Sequence, residues 1–136
     1  MIVADATLLV YLVVGGPEAE ASERVLRHDD EWVAPPLWES EVRNALLGHI
    51  RKAGMPLPIA VEAFELARHA LLGRVVPVDA GDVLKVAVEH GLSAYDAEYV
   101  VLAQALGVRL VTSDKRVLAA VPDVAVRPDA FADAAR

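Results

Sequence analysis

Residues 1–16 read MIVADATLLVYLVVGG, and this stretch decides the fold that the sequence predicts. Residues 1–4 are short and apolar, as in a buried strand, while the apolar stretch 8–14 is typical of a helix that ends at the glycine pair. Asp5 stands between them, where the strand ends and the helix begins. The chain is therefore expected to start with a strand, a carboxylate and a helix, in that order.

The same order of strand and helix returns along the rest of the chain. Further strands are predicted at residues 32–34, 75–78, 109–112 and 124–126, and helices at 18–28, 37–52, 59–72, 80–90, 94–106 and directly after 114. Because right-handed crossovers place helices on both faces of a parallel sheet, this alternation predicts an α/β fold. The expected architecture is a three-layer αβα sandwich with a short central parallel sheet, from which helices 37–52 and 59–72 project as a hairpin.

The length and composition restrict the class of protein. A chain of 136 residues is long enough for one domain with a substantial core, so a single domain over 1–136 is expected, with a frayed tail at about 130–136. The apolar run 6–16 is too short to span a membrane. The absence of cysteine excludes thiolate metal sites and fits a cytoplasmic location.

Hydropathy and charge bear on the partners of the protein. A composition that is 55% hydrophobic is rich for an isolated domain, which predicts that a second copy or another protein covers part of the surface. The formal net charge of −7 argues against a broad basic surface for nucleic acid, since such affinity comes mainly from neutralising phosphates. Bound divalent cations would reverse the sign of the charge locally.

Four acidic residues are predicted to gather at one edge of the sheet. Asp5 and Asp114 each follow a strand, Glu41 lies in the first turns of the helix after the second strand, and Asp96 opens a later helix. Carboxylates held close together raise one another's pKa and cost stability unless cations neutralise them. Mg²⁺ and Mn²⁺ prefer such oxygen ligands, and they activate water for attack on phosphodiesters.

Each of these acids also has a purely structural explanation. Asp5 and Asp114 are placed to cap the helices that follow them, and Ser93 with Asp96 reads as a capping box. Taken singly, capping is the better explanation for each residue. Only the convergence of all four on one edge favours a metal site.

Four segments of the chain carry a resemblance to a known family. They are residues 3–7 (VADAT), 41–46 (EVRNAL), 95–103 (YDAEYVVLA) and 110–114 (LVTSD). In this order and spacing they resemble the PIN-domain ribonucleases, particularly the VapC-type toxins of type II toxin–antitoxin systems. The resemblance covers nearly the whole chain, and the ordered set with its Tyr-Asp-Ala element is more specific than any one segment.

The resemblance implies an endoribonuclease that depends on Mg²⁺, with Mn²⁺ as a substitute, and that is silenced by a small cognate antitoxin of the VapB type. It implies RNA as the substrate, and composition together with the resemblance predicts a homodimer. The family's acidic residues match Asp5, Glu41, Asp96 and Asp114, in agreement with the argument from the sheet edge.

Several other side chains are candidates for supporting roles. Thr7 and Asn44 sit where PIN domains often place a hydroxyl or an amide, and Lys115 and Arg116 adjoin Asp114, where they could approach the substrate strand. Glu39 replaces Glu41 as a ligand if the helix register differs. The four histidines fall on predicted helices far apart in sequence and are expected at solvated positions.

Two other functions remain open from the residues alone. A receiver-type phosphoacceptor domain has a similar length and an acidic magnesium site, and Asp79 at the end of residues 75–78 is compatible with it. A PIN-like module that binds partners without catalysis is the third possibility, although it would have no need of all four acids.

Overall fold

The computed structural model describes residues 1–134. Within them, helices predominate around a small sheet, and the elements in chain order are β1 (Ile2–Ala4), α1 (Ala6–Val14), α2 (Ala19–His28), β2 (Trp32–Val33), α3 (Trp38–Ala53), α4 (Leu57–Ala70), α5 (Ala80–His90), α6 (Ala94–Leu106), β3 (Leu110–Val111), α7 (Lys115–Ala120), β4 (Ala125–Val126) and α8 (Pro128–Ala134). None of the helices in this part of the chain combines the length and the apolar character needed to cross a membrane.

The four strands form one parallel sheet in the order β2-β1-β3-β4. Val3 of β1 is in register with Val33 of β2 on one side and with Leu110 of β3 on the other. Because all strands run the same way, the carboxyl ends of β1 and β3 lie side by side in the middle of one sheet edge. The predicted α/β fold with a central parallel sheet is confirmed.

Side-chain alternation along β1 separates the two helical layers. Ile2 and Ala4 belong to a core cluster that includes residues of α1, α2, α3 and α4, whereas Val3 belongs to a cluster with residues of α5, α6 and α7. All three residues of β1 are at most 1% exposed, as expected for a strand covered on both faces. The sheet is therefore the middle layer of a PIN-like αβα sandwich.

Residues 75–78 do not form the predicted strand. Their pairing with the sheet is a single bridge between Val75 and Ala34, with the amide of Val76 donating to the Ala34 carbonyl at 3.0 Å. Pro77 follows directly and has no N–H to donate, so a strand ladder cannot continue through it. The segment instead passes along the sheet edge and leads into α5.

The helices α3 and α4 are joined as predicted, but the pair does not project from the domain. One face of α4 joins the core, with Ala67 and Leu71 essentially inaccessible, and α4 packs against α1 as well as α3. The rings of Trp38 and Phe64 stack between α3 and α4 with their centroids 5.3 Å apart. The hairpin is thus one wall of the sandwich.

The expected fraying from residue 130 is wrong as far as Ala134. Helix α8 packs against α2, where the ring of Phe131 meets that of His28 edge-on at 5.5 Å and Arg24 pairs with Asp133. An Ala- and Asp-rich tail has little intrinsic reason to be ordered, so these tertiary contacts hold it. The last two residues of the expected tail, 135–136, lie outside the described residues.

Candidate active site

The structure brings the four predicted acidic side chains together. Asp5, Glu41, Asp96 and Asp114 line one cavity of about 330 Å³ at the edge where β1 and β3 end. They come from four separate positions in the sequence, carried there by β1, α3, α6 and the turn after β3. This is the crevice at the carboxyl ends of parallel strands where α/β proteins bind their ligands.

Asp5 lies deepest of the four and caps α1. Its Oδ1 accepts the amide of Thr7 at 3.3 Å, and its Oδ2 accepts the hydroxyl of Thr112. Burial raises the pKa of the Asp5 carboxyl, these two hydrogen bonds oppose that rise, and the charges of Asp96 and Asp114 add to it. The Asp5 carboxylate therefore caps α1 and also lines the acidic cavity.

Thr112 connects two of the acidic residues and was missed by the sequence analysis. It is 1% exposed, donates to Asp5, and accepts the amide of Asp114 at 3.0 Å through the same hydroxyl. A threonine two residues before an aspartate at the end of a strand is a local signal for this kind of turn. Its bond to Asp5 depends on the pairing of β1 with β3, which the local sequence does not show.

Asp114 is the N-cap of α7. Its Oδ1 accepts the amides of Arg116 at 2.9 Å and Val117 at 3.1 Å. Both capping bonds use the same oxygen, so capping does not consume Oδ2. The predicted cap is present, and it leaves the carboxylate able to bind a cation.

Asp96 lies in the first turn of α6. The hydroxyl of the N-cap residue Ser93 accepts the Asp96 amide at 3.0 Å, which is half of the predicted capping box. Burial raises the pKa of the Asp96 carboxyl, and the negative charge of Asp114 raises it further. The positive charge of Arg116 acts in the opposite direction, so this arginine influences the site electrostatically.

Glu41 enters the cavity from α3 and is held by Tyr99. The phenolic hydroxyl of Tyr99, a residue only 3% exposed, donates to Glu41 Oε1 at 2.6 Å. Burial raises the pKa of the Glu41 carboxyl, the charges of Asp5 and Asp96 raise it further, and the Tyr99 bond opposes them. Tyr99 lies three residues after Asp96, on the same face of the helix, which is a signal the sequence analysis did not use.

The alternative acid on α3 lies outside the cavity. Glu39 forms an ion pair with Arg43 at 3.8 Å, one turn along the helix. The helix register therefore directs Glu41, and not Glu39, toward the other three carboxylates.

The supporting residues divide into two groups. Thr7 lines the acidic cavity, whereas Asn44 is exposed and lines an adjoining groove on α3. Lys115 and Arg116 are exposed on α7 directly after Asp114. Asn44 therefore does not line the acidic cavity itself, and its supporting role stays a prediction.

One histidine differs from the expectation of solvated positions. His49 is partly buried and lines both the acidic cavity and the groove that holds Asn44. Glu41, Ala45 and His49 follow one another at four-residue steps on α3, which places them on one face. The other three histidines are exposed, as expected.

The chemistry of the cavity fits a hard divalent cation. Burial raises the pKa of Asp5, Glu41 and Asp96, and negative neighbours add to each shift, so a cation there would relieve the cost of gathering their charges. Within residues 1–134, no group of three or more His, Cys, Asp or Glu side chains is close enough together to hold a metal ion as it stands. Mg²⁺ is usually bound by one or two protein carboxylates and keeps several of its water ligands, so the carboxylates that line this cavity fit it without a closed cage.

Asp79 does not belong to this site. It is exposed and caps α5, where its Oδ2 accepts the amide of Asp82 at 3.0 Å. Since residues 75–78 are not a strand either, the arrangement on which a receiver domain would depend is not formed.

The sequence matches the family model of the PIN domain over residues 2–124. Among curated proteins it is 29% identical over 128 residues to Ribonuclease VapC3 of Pyrobaculum aerophilum, an alignment that covers 89% of this chain and 95% of that protein. It is also 51% identical over 43 residues to Exonuclease VapC9 of the same organism, covering 32% of this chain and 31% of that protein.

Solved structures show the same architecture. A crystal structure of a Pyrobaculum aerophilum protein superposes with a TM-score of 0.78 at 24% identity and covers 98% of this chain and 88% of that one. A chain of a toxin–antitoxin complex from Klebsiella pneumoniae superposes with a TM-score of 0.69 at 16% identity, covering 94% of this chain and 98% of that one. At these identities the likeness establishes the fold alone, but the family model spans nearly the whole sequence, and the chain belongs to the PIN-domain family.

Proposed function

We propose that this protein is an endoribonuclease that depends on Mg²⁺, with Mn²⁺ as a substitute, and is the toxin of a toxin–antitoxin pair. The observation that carries the proposal is the convergence of Asp5, Glu41, Asp96 and Asp114 on one cavity. The similarity to a protein named Ribonuclease VapC3 supports the choice of RNA as substrate. A cytoplasmic location belongs to the same proposal.

The chain's own residues hold the four carboxylates in place for a cation. Thr112 fixes Asp5, Tyr99 fixes Glu41, Ser93 sets the first turn of α6 at Asp96, and the amides of α7 fix Asp114. A divalent cation held by these carboxylates would supply an acidified water and would stabilise the attacking and leaving oxygens of a phosphodiester. Fixed ligands place that charge without reorganisation during the reaction.

The shape of the site favours cleavage within a strand. Asp114 is exposed and Asp96 only partly buried, so a strand can cross the cavity without threading an end into it. The relative named Exonuclease VapC9 aligns with this chain over 43 residues only. A circular RNA has no end, so it distinguishes cleavage within a strand from removal of nucleotides at an end.

Purified protein is expected to cut both linear and circular single-stranded RNA with Mg²⁺ or Mn²⁺, as measured on denaturing gels. EDTA should abolish cleavage, and Ca²⁺ should not restore it, because its looser coordination suits an in-line displacement badly. Full activity in EDTA would refute the metal mechanism. Cutting of linear RNA alone would indicate an exonuclease, and RNA that is bound but never cut would indicate a non-catalytic module.

Asp96→Asn and Ser93→Ala should have opposite effects, because one residue supplies charge and the other a helix cap. Asp96→Asn should abolish cleavage and weaken Mn²⁺ binding, while the melting temperature without metal stays level or rises as carboxylate repulsion is relieved. Ser93→Ala should lower stability by about 1 kcal/mol and retain cleavage. Wild-type cleavage by Asp96→Asn, or its failure to fold, would show that Asp96 is only structural.

Exposed apolar side chains support the proposed partners. On α4 the exposed large apolar residues include Leu57, Ile59 and Val61, beside an apolar groove of about 330 Å³ between α3 and α4. On α5, Leu84 and Val88 lie one turn apart and are 63% and 84% exposed. We assign the α3–α4 groove to an apolar segment of a small antitoxin, and the α5 pair to contact between two copies in a homodimer.

Light scattering at tens of micromolar is expected to give a mass above one subunit. Leu84→Glu with Val88→Glu should shift the protein to monomers, because charges would be buried in the contact. Lys85→Glu on the same helix is the matched control and should leave the mass unchanged. A wild-type protein that is strictly monomeric, and that captures no small protein encoded beside it, would contradict both partner assignments.

A further inference from the structure

A groove on α3 is continuous with the acidic cavity. It has a volume of about 570 Å³ and is lined by α3 from Asn44 to Ala53, including Gly48, Arg51 and Lys52. His49 lines the groove and the acidic cavity alike. A ligand that occupies the cavity can therefore extend along this helix past Ala45 and His49, which line both.

The groove carries positive charge that is not used within the protein. Arg51 and Lys52 are exposed, and the ion pairs formed within residues 1–134 do not include either of them. Both residues lie in the last turn of α3, where positive charge interacts favourably with the helix dipole. The dipole therefore explains why these two residues are basic. It does not account for the absence of an ion pair at either residue within residues 1–134, and both line the groove that adjoins the acidic cavity.

Gly48 keeps the middle of the groove open. A Cβ built on this residue meets no atom within 4 Å, so a side chain there would project into the groove. Glycine in a helix interior costs stability relative to other residues, so filling this position should not unfold the protein.

We propose that the backbone of single-stranded RNA lies in this groove on one side of the cut bond, with Arg51 and Lys52 against its phosphates. The proposal rests on the proposed function and names the path of its substrate. Asn44 and His49 lie between those cations and the acids, where they contact the nucleotide next to the cavity. Lys115 and Arg116 stand beside Asp114. The RNA strand therefore passes over the acidic cavity with positively charged side chains on both sides of it.

The test measures RNA affinity as a function of salt with Ca²⁺ in place of Mg²⁺, so that binding is separated from cleavage. Arg51→Gln with Lys52→Gln should weaken binding and reduce the slope of log affinity against log salt by about 0.7 for each lost phosphate contact. Gly48→Glu should fold normally and bind less RNA. The matched control, Arg27→Gln with Lys85→Gln, removes two exposed cations that line neither the cavity nor the groove.

If the groove variants keep the wild-type slope of log affinity against log salt, while the wild-type protein binds and cuts RNA, the proposed RNA path in the groove is wrong and the proposed function stands. The same would follow if those variants lost a protein partner while keeping the RNA slope. Wild-type protein that neither binds nor cuts RNA would overturn the proposed function and the groove with it.

A second observation concerns Tyr99, which the family resemblance did not place in the site. Its buried hydroxyl contacts Glu41 at 2.6 Å and so joins α6 to α3. Without this bond, the long Glu41 side chain would be free to change rotamer. We infer that Tyr99 is a positioning residue that sets the Glu41 carboxylate for cation binding.

Tyr99→Phe keeps the ring in the core and removes only the hydroxyl. Calorimetry of the RNA-free protein should show Mn²⁺ affinity reduced by about tenfold or more, as is usual when the partner of a metal ligand is lost. The kcat for RNA should fall while KM stays near the wild-type value, and the variant should cause no further loss of Mn²⁺ affinity in a Glu41→Gln background. Tyr95→Phe, on the same helix but 64% exposed, is the control.

Equal Mn²⁺ affinity for wild type and Tyr99→Phe would overturn this inference, and a lowered melting temperature with unchanged metal affinity would reduce Tyr99 to a packing residue. If the wild type binds no Mn²⁺, the proposed metal site fails and Tyr99 has nothing to position.

Discussion

The rest of the site depends on the buried carboxylate of Asp5. A carboxylate at the end of a central strand loses most of its hydration, and the structure compensates with the Thr112 hydroxyl and the amide at the start of α1. The Thr112 bond joins the end of β1 to the end of β3, and the Thr7 amide bond fixes the start of α1 at Asp5. Burial nevertheless raises the pKa of Asp5, so compensation is incomplete, and a cation beside this carboxylate would offset the remaining cost of its charge.

Helix capping and the gathering of acids at the sheet edge have the same structural origin in this fold. A helix that follows a parallel strand begins at the carboxyl edge of the sheet, and its first amides need an acceptor there. Asp5 and Asp114 meet that need, and Asp96 lies in a turn capped by Ser93, so helix starts deliver three acids to one edge. The structural explanation of each residue is thus also the reason why the acids converge.

The sequence predicted correctly those features of the fold and the site that depend on interactions between neighbouring residues. The strand-acid-helix order of residues 1–14, the caps at Ser93 and Asp114 and the side of α3 that carries Glu41 all follow from short-range patterns. Residues 75–78 looked like a strand because their apolar character outweighed Pro77, whose missing N–H prevents a ladder. The order of α8 and the partners of Thr112, Tyr99 and His49 depend on contacts between distant segments, which a periodicity argument does not contain.

The distribution of charge resolves the apparent conflict between an acidic protein and the proposed RNA substrate. The four cavity acids represent more than half of the net charge of −7 when ionised, and they are the charges that a divalent cation would neutralise. Arg51 and Lys52 lie beyond one side of the cavity, while Lys115 and Arg116 lie next to Asp114. Attraction of a phosphate backbone falls off within about 10 Å at moderate salt, so a strand responds to this local arrangement and not to the sum over the chain. Binding of the cation would then link the two positive margins into one continuous path.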